Sequence, residues 1–168
     1  MKEEVKYMYS KILLMIDDSK FSERAIHKVI EFQKTFNCKI VMATSIKHHK
    51  LPLFAVYTVP SSYGSFYVSE EELLEESRQE GEEFLIKMLD FFIRENIHVE
   101  TRLIEDEHPE DYIEQTVKDE NFDLVVLGIN SFHSKLKHKS IGSVSHKIVK
   151  KTPCDILIIG KNNLKGGC

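Results

Sequence analysis

The run KILLMID, Lys11 to Asp17, limits the folds open to this chain more than any other stretch. Its apolar residues are continuous rather than alternating, so neither face of a strand made from it can be wet. Such a run predicts a central strand of a parallel sheet, covered by helices above and below. Four more short apolar runs follow: CKIVMATSI (Cys38 to Ile46), HVETRLI (His98 to Ile104), FDLVVLG (Phe122 to Gly128) and CDILIIG (Cys154 to Gly160). Segments of helical period separate them. In DSKFSERAIHKVIEFQKTF the residues Ala25, Ile26, Val29, Ile30, Phe32 and Phe36 share one face. Asp18, Ser19 and Ser22 are candidate N-caps for that helix.

Residues 69–95 form the longest helical pattern, with Leu73, Leu74, Gly81, Phe84, Leu85, Met88, Phe91 and Phe92 recurring at helical spacing. Glu70, Glu71, Glu72, Glu75 and Glu76 crowd its start, which suits the positive end of the helix dipole. Pro109 opens a third helix and SIGSVSHKIVKK forms a fourth, stopped before Pro153. Residues 47–68 contain Pro52, Pro60 and Gly64 and have no helical period; they read as a long loop with at most a short extended piece near 54–59. Strands alternating with helices predict an α/β fold: a Rossmann-like open parallel sheet of five strands with helices on both faces. At 168 residues, without repeats or a linker, one domain is expected over 1–168.

Bulk properties narrow the function. No apolar run approaches the roughly 20 residues that span a bilayer, and MKEEVKYMYS lacks the apolar core of a secretory signal. Three cysteines without C-x-x-C spacing favour a reducing compartment. A cytoplasmic protein is the expectation. The net charge of −4 argues against a general nucleic-acid binder. Eight histidines form no helical H-x-x-x-H pair with a third partner, so no metal site is expected; His48 and His49 are adjacent in a loop. No nucleophile–base pair is evident, so an enzyme is not expected.

Ligands of open parallel sheets sit beyond the carboxyl ends of the strands. The first strand ends in Asp17, Asp18 and Ser19, and the fourth in Gly128, Ile129, Asn130 and Ser131. Gly142 and Ser143 open the fourth helix, whose free N–H groups can hold a phosphate. Between Asp123 and Asp155 there is no acid, but there are six lysines: Lys135, Lys137, Lys139, Lys147, Lys150 and Lys151. These are the parts of an anion site facing a carboxylate. Neither G-x-x-x-x-G-K-[ST] nor G-x-G-x-x-G occurs.

Two stretches resemble the universal stress protein family. KILLMIDDSKFSERAI is similar to its opening strand and D-x-S-x-x-S-x-x-A turn, with Asp17, Ser19, Ser22 and Ala25 in register. DLVVLG and GSVSHKIVKKTPCDILIIGK are similar to its closing unit, and the resemblance runs from Tyr9 to Lys161, leaving 162–168 as a flexible tail and 47–68 as a loop insertion. It implies strand order 3-2-1-4-5, a homodimer and, in many members, ATP between strands one and four, for which Mg²⁺ is the expected companion; the dimer is expected through the last strand (Cys154 to Lys161), apolar and at a sheet edge.

The resemblance implies that Asp17 accepts hydrogen bonds from adenosine, with Met15 and Ile16 beside it, and that Ser45 meets adenine through its backbone. Gly128, Asn130 and Ser131 would follow the ribose and phosphates; Gly142, Ser143, Val144 and Ser145 would donate to the phosphates. ATP-binding members close this site with G-x-x-G-(nine residues)-G-[ST]. Here Ser131 occupies the second glycine's place, and ten residues, Phe132 to Ile141, separate it from Gly142. Glu107 precedes His108 and Pro109, where the family often has a glycine. The expected protein is an ATP-binding regulator of stress responses; the alternative is a dimeric interaction module of the same fold without nucleotide.

Overall fold

The computed structural model describes residues 8–46, 57–61, 64–105, 107–129 and 143–160. The elements are β1 (Lys11–Met15), α1 (Ser22–Phe36), β2 (Lys39–Ser45), β3 (Tyr57–Ser61), β4 (Gly64–Val68), α2 (Glu70–Ile93), β5 (Glu100–Ile104), α3 (Pro109–Glu120), β6 (Leu124–Gly128), α4 (Ser143–Lys151) and β7 (Asp155–Ile159). Five of the strands form one parallel sheet in the order β5-β2-β1-β6-β7. Numbered by the five runs of the sequence, that is the expected 3-2-1-4-5.

The continuous apolar character of KILLMID has its physical cause in this position. Ile12, Leu13, Leu14 and Ile16 are wholly buried, and Met15 nearly so. Successive side chains point to opposite faces of the sheet. Ile12, Leu14 and Ile16 pack with Ala25, Ile26 and Val29 of α1 and Leu85, Met88 and Phe92 of α2. Leu13 and Met15 pack with Ile113 and Val117 of α3 and Ile148 of α4. One strand therefore feeds two cores, and replacing any of its apolar residues by a charged one would leave that charge in a dry interior.

The helix ends follow local chemistry. Ser69 caps α2 in a reciprocal arrangement with Glu72: the Ser69 hydroxyl accepts from the Glu72 N–H at 3.1 Å, and the Ser69 N–H donates to the Glu72 carboxylate at 2.9 Å. Pro109 opens α3, as its missing N–H allows. Asn37 and Asn121 close α1 and α3 with φ of 51° and 55°, a left-handed conformation that Asn tolerates better than most residues.

The reading of 47–68 as a loop needs correction. Tyr57–Ser61 and Gly64–Val68 pair antiparallel, with Tyr57 opposite Val68 and Ser61 opposite Gly64. Tyr57, Thr58, Val59, Phe66, Tyr67 and Val68 are β-branched or aromatic and favour a pleated surface. Pro60 weakened that signal, yet proline is admitted where a strand lies at an edge, and both strands of a two-stranded sheet are edges. The extended piece expected at 54–59 overlaps β3 at Tyr57–Val59; 54–56 lie outside the described residues.

An ionic cluster ties the amino ends of the strands to α3. Asp123 accepts from the Ser10 N–H at 2.7 Å, the Ser10 hydroxyl at 2.6 Å and the Lys11 N–H at 3.1 Å. Glu120 accepts from Lys11 at 2.8 Å and from Arg102 at 2.5 and 3.0 Å, while Lys11 lies 4.2 Å from the centre of the Phe122 ring. Hydrogen bonds from Arg102 and Lys11 hold the Glu120 carboxyl down at about 2, against an ordinary value of 4.5.

A carboxyl depressed in the folded state contributes stability that is complete above its unfolded value and lost as pH falls through the folded one. Glu120→Gln should therefore flatten the loss of stability between about pH 5 and pH 2 relative to wild type. At pH 7 the same change should cost about 1 kcal/mol, allowing for solvent screening of a side chain that is 34% exposed. Urea titrations at stepped pH measure both effects. Parallel pH profiles for the two proteins would mean that the cluster contributes nothing to acid stability.

Candidate functional site

The carboxyl ends of β1, β2 and β6 lie side by side at the middle of the sheet. β1 gives way to a turn organised by Asp17, which is only 8% exposed. Its Oδ1 accepts from the Ser19 N–H at 3.1 Å, in the manner of an Asx-turn, and from the Ser22 hydroxyl at 3.1 Å. The Ser22 hydroxyl also lies 2.6 Å from the Asp17 carbonyl, a second acceptor, and accepts from the Asp17 N–H at 2.9 Å. The D-x-S-x-x-S spacing thus forms a clasp that helps hold one carboxylate in a buried position at the strand end.

This arrangement differs from the expected capping. None of Asp18, Ser19 and Ser22 occupies the N-cap: Phe21 does, with no side-chain cap, and Ser22 is already the first helical residue. The physical reason lies in Ser22 turning its hydroxyl back onto Asp17 instead of onto the helix N–H groups. Ser19 reaches the Phe21 N–H only at 3.4 Å.

The other sequence-predicted residues are placed as follows. Met15 and Ile16 are buried on opposite faces, Met15 toward α3 and α4 and Ile16 toward α1 and α2. Ser45 ends β2, half-buried, with its hydroxyl directed to the Ile46 carbonyl at 3.3 Å. Gly128 ends β6, buried and paired in register with Ile159. Ser143 and Val144 begin α4. Ser145 is fully buried, and its hydroxyl has no hydrogen-bond partner among the described residues. Asn130, Ser131 and Gly142 lie outside the described residues, as do Lys135, Lys137, Lys139 and the histidines at 48, 49, 133 and 138. Glu107 is exposed at the surface.

Sequence reasoning passed over Thr44. Its buried hydroxyl donates to the Ile16 carbonyl at 2.9 Å, just past the bond from the Ile16 N–H to the Ala43 carbonyl, also 2.9 Å. Thr44 therefore extends the β1–β2 pairing to the edge of the Asp17 turn. The available signal was a polar residue inside a continuous apolar run, CKIVMATSI.

Two of the six lysines serve a different purpose from the one expected. Lys147 pairs with Glu110 at 2.6 Å and Lys151 with Glu114 at 3.1 Å, so both bind α4 to α3. Burial pushes the Glu110 carboxyl up, yet Lys147 and a backbone N–H outweigh it and hold the group below its ordinary value. Lys118 and Lys151 lower Glu114 in the same way. Cys38 and Cys154 are poor nucleophiles: burial, with Asp155 adding to it, pushes Cys154 up to about 11, and burial also raises Cys38. Among the described residues no His/Cys/Asp/Glu cluster could hold a metal, and no helix is long and apolar enough to cross a membrane.

The strand ends thus carry a buried carboxylate, a buried glycine and, at a helix start, a buried hydroxyl with no hydrogen-bond partner among the described residues. The model of the universal stress protein family matches residues 8–160. Universal stress protein YxiE of Bacillus subtilis is 30% identical over 155 residues, which cover 90% of this chain and 99% of that protein. Universal stress protein UspA from Lactobacillus plantarum has the same fold, with a TM-score of 0.68 at 18% identity, covering 90% of this chain and 97% of the other. So has the universal stress protein from Archaeoglobus fulgidus, solved in complex with dAMP, with a TM-score of 0.59 at 18% identity over 90% and 98% of the two chains. With its parallel sheet, its Asp17 turn and a match over nearly its whole length, the chain belongs to the universal stress protein family.

Proposed function

We propose that this protein binds an adenine nucleotide, ATP with Mg²⁺, as a regulatory ligand at the carboxyl ends of β1 and β6. The observation that carries the reading is Ser145 Oγ, a fully buried hydroxyl in the first turn of α4 with no hydrogen-bond partner among the described residues. Leaving such a group unsatisfied costs about 1–3 kcal/mol. A phosphate at that helix start would offer it an acceptor. Asp17 supplies the complementary end, a buried carboxylate suited to the hydroxyl and amino donors of adenosine. Glu107 is exposed, so solvent screens its charge from an anion at the strand ends. The dAMP held by the Archaeoglobus protein supports an adenine nucleotide as the ligand class.

ATP supplies charge and binding energy here, and this chain's residues orient it. Asp17 fixes the nucleoside end, and the N–H groups of Ser143, Val144 and Ser145 face the anionic end. The reading is a regulatory one, in which Asp17, held by Ser19 and Ser22, binds the ligand.

Calorimetry with ATP-Mg tests the reading. Saturable heat at micromolar to millimolar ATP, reduced in Asp17→Ala, is the expected result. No heat from wild type or from Ser131→Gly would leave the alternative, a nucleotide-free interaction module. The engagement of Lys147 and Lys151 by α3 acids is the observation that favours that second reading.

The same reading includes a homodimer through β7. This strand is an edge of the sheet, and Ile156, Leu157 and Ile158 are only half-buried on it. An apolar edge invites pairing with its own copy across a two-fold axis. Light scattering should give the dimer mass at roughly tens of micromolar, and Leu157→Lys should shift it to the monomer. A monomer in wild type at that concentration contradicts the interface.

A further inference from the structure

The opposite edge of the sheet carries a second feature, away from the strand ends. Glu82, Leu85, Ile86 and Leu89 of α2 and Thr101 and Leu103 of β5 line a cavity of about 330 Å³. The helix sits close to the strand there because residue 81 is glycine: a Cβ at Gly81 would lie 2.6 Å from a Leu103 methyl and 2.8 Å from an Ile46 methyl. Of the five large apolar residues exposed among those described, three lie on α2, and Ile86 and Ile93 are 68% and 61% exposed. They lie seven residues apart, two helical turns, on the same side of α2 as the cavity. The helix that presents them carries nine acids and two bases.

Among the described residues no strand pairs with the outer side of β5, which ends the sheet. The Ile104 carbonyl accepts from Ile46 N–H at 3.1 Å, so the backbone of Ile104 faces the β2 side. Alternation along β5 turns the N–H and C=O groups of Thr101 and Leu103 outward. The two residues that line the cavity are thus the two whose backbone can accept another strand. Both requirements for strand addition, an open ladder and a pocket for an alternate side chain, coincide at one place.

We propose that this edge receives an extended, lysine- or arginine-rich segment of a partner protein, paired to Thr101 and Leu103 with one aliphatic side chain in the cavity. The charge of α2 selects the partner: Glu82 and Glu83 attract cationic side chains flanking the aliphatic anchor, and the same field repels nucleic acid and anionic membranes. Pairing through β7, on the far edge, would leave this edge outermost in a dimer. The inference does not depend on nucleotide binding.

Fluorescence anisotropy with the full chain and a fluorescein-labelled peptide that alternates lysine with isoleucine and valine over seven residues tests it. The expected result is saturable binding, weakened about tenfold, or 1.4 kcal/mol, by Ile86→Ser, by Glu82→Lys and by N-methylation of alternate peptide amides. Ile86 and Glu82 are exposed, so both variants should melt with wild type. No binding at hundreds of micromolar peptide overturns the proposal. So does equal binding of a lysine–serine peptide, which would reveal plain charge attraction. Indifference to N-methylation overturns strand pairing, and self-association abolished by Ile86→Ser would assign the edge to a second copy of this chain.

Discussion

Phe92→Ala should lower the free energy of unfolding by about 3–5 kcal/mol, the largest stability effect expected of a single truncation among the described residues. Phe92 is the largest of the wholly buried side chains and fills the space between α2 and the α1-side face of the sheet, among Ile12, Leu14 and Met88. Truncation removes the transfer energy of the ring and leaves a cavity that the sheet cannot close, because β1 is held by strands on both sides. For a chain of this size the loss corresponds to a fall in Tm of roughly 6–20 °C. Thermal melting followed by circular dichroism checks it. A shift of only a degree or two would show that Phe92 lies outside the core.

Asp17→Ala should weaken ATP binding about tenfold or more, equivalent to at least 1.4 kcal/mol. The substitution removes the buried acceptor and also releases Ser19 N–H and Ser22 hydroxyl from their partner. Asp17→Asn separates the two effects, since its amide oxygen can still accept from Ser19 and Ser22 while the charge is gone. If the carboxylate itself recognises adenosine, both variants lose affinity; if only the turn matters, Asn behaves as wild type. Ser131→Gly should act in the other direction. Ser131 cannot take positive φ as cheaply as glycine, and where that angle is needed the cost is about 1–2 kcal/mol, a five- to thirtyfold gain in affinity for the glycine variant. Calorimetric titration of the four proteins under one set of conditions decides.

The central strand was legible because burial on two faces leaves an unambiguous mark, an apolar run without alternation. β5 was legible for the opposite reason, its polar–apolar alternation, and it does lie at an edge. The hairpin at 57–68 was not, because Pro60 and Gly64 punctuate the sequence where the structure keeps pairing. The D-x-S-x-x-S spacing marked the turn around Asp17, but which atoms the serines engage depended on the path of the turn, which no spacing encodes. For two of the lysines, proximity in sequence is not proximity in space. Lys147 and Lys151 sit beside the expected anion site along the chain, yet the helix turns them toward Glu110 and Glu114, whose helix is distant in sequence and adjacent in space.

The bonds from Ser10 and Lys11 to Asp123 span 113 and 112 residues. The middle strand of the sheet therefore acquires one neighbour from the next strand in the chain and the other from near its far end. During synthesis at about 5–20 residues per second, β1 and β2 wait on the order of ten seconds for β6 to emerge. Through that interval one flank of the most apolar strand stays open to pairing with whatever strand is nearby. A nascent chain stalled before Asp123 should thus be the form of this protein most prone to aggregate and most dependent on chaperones, however stable the finished domain is.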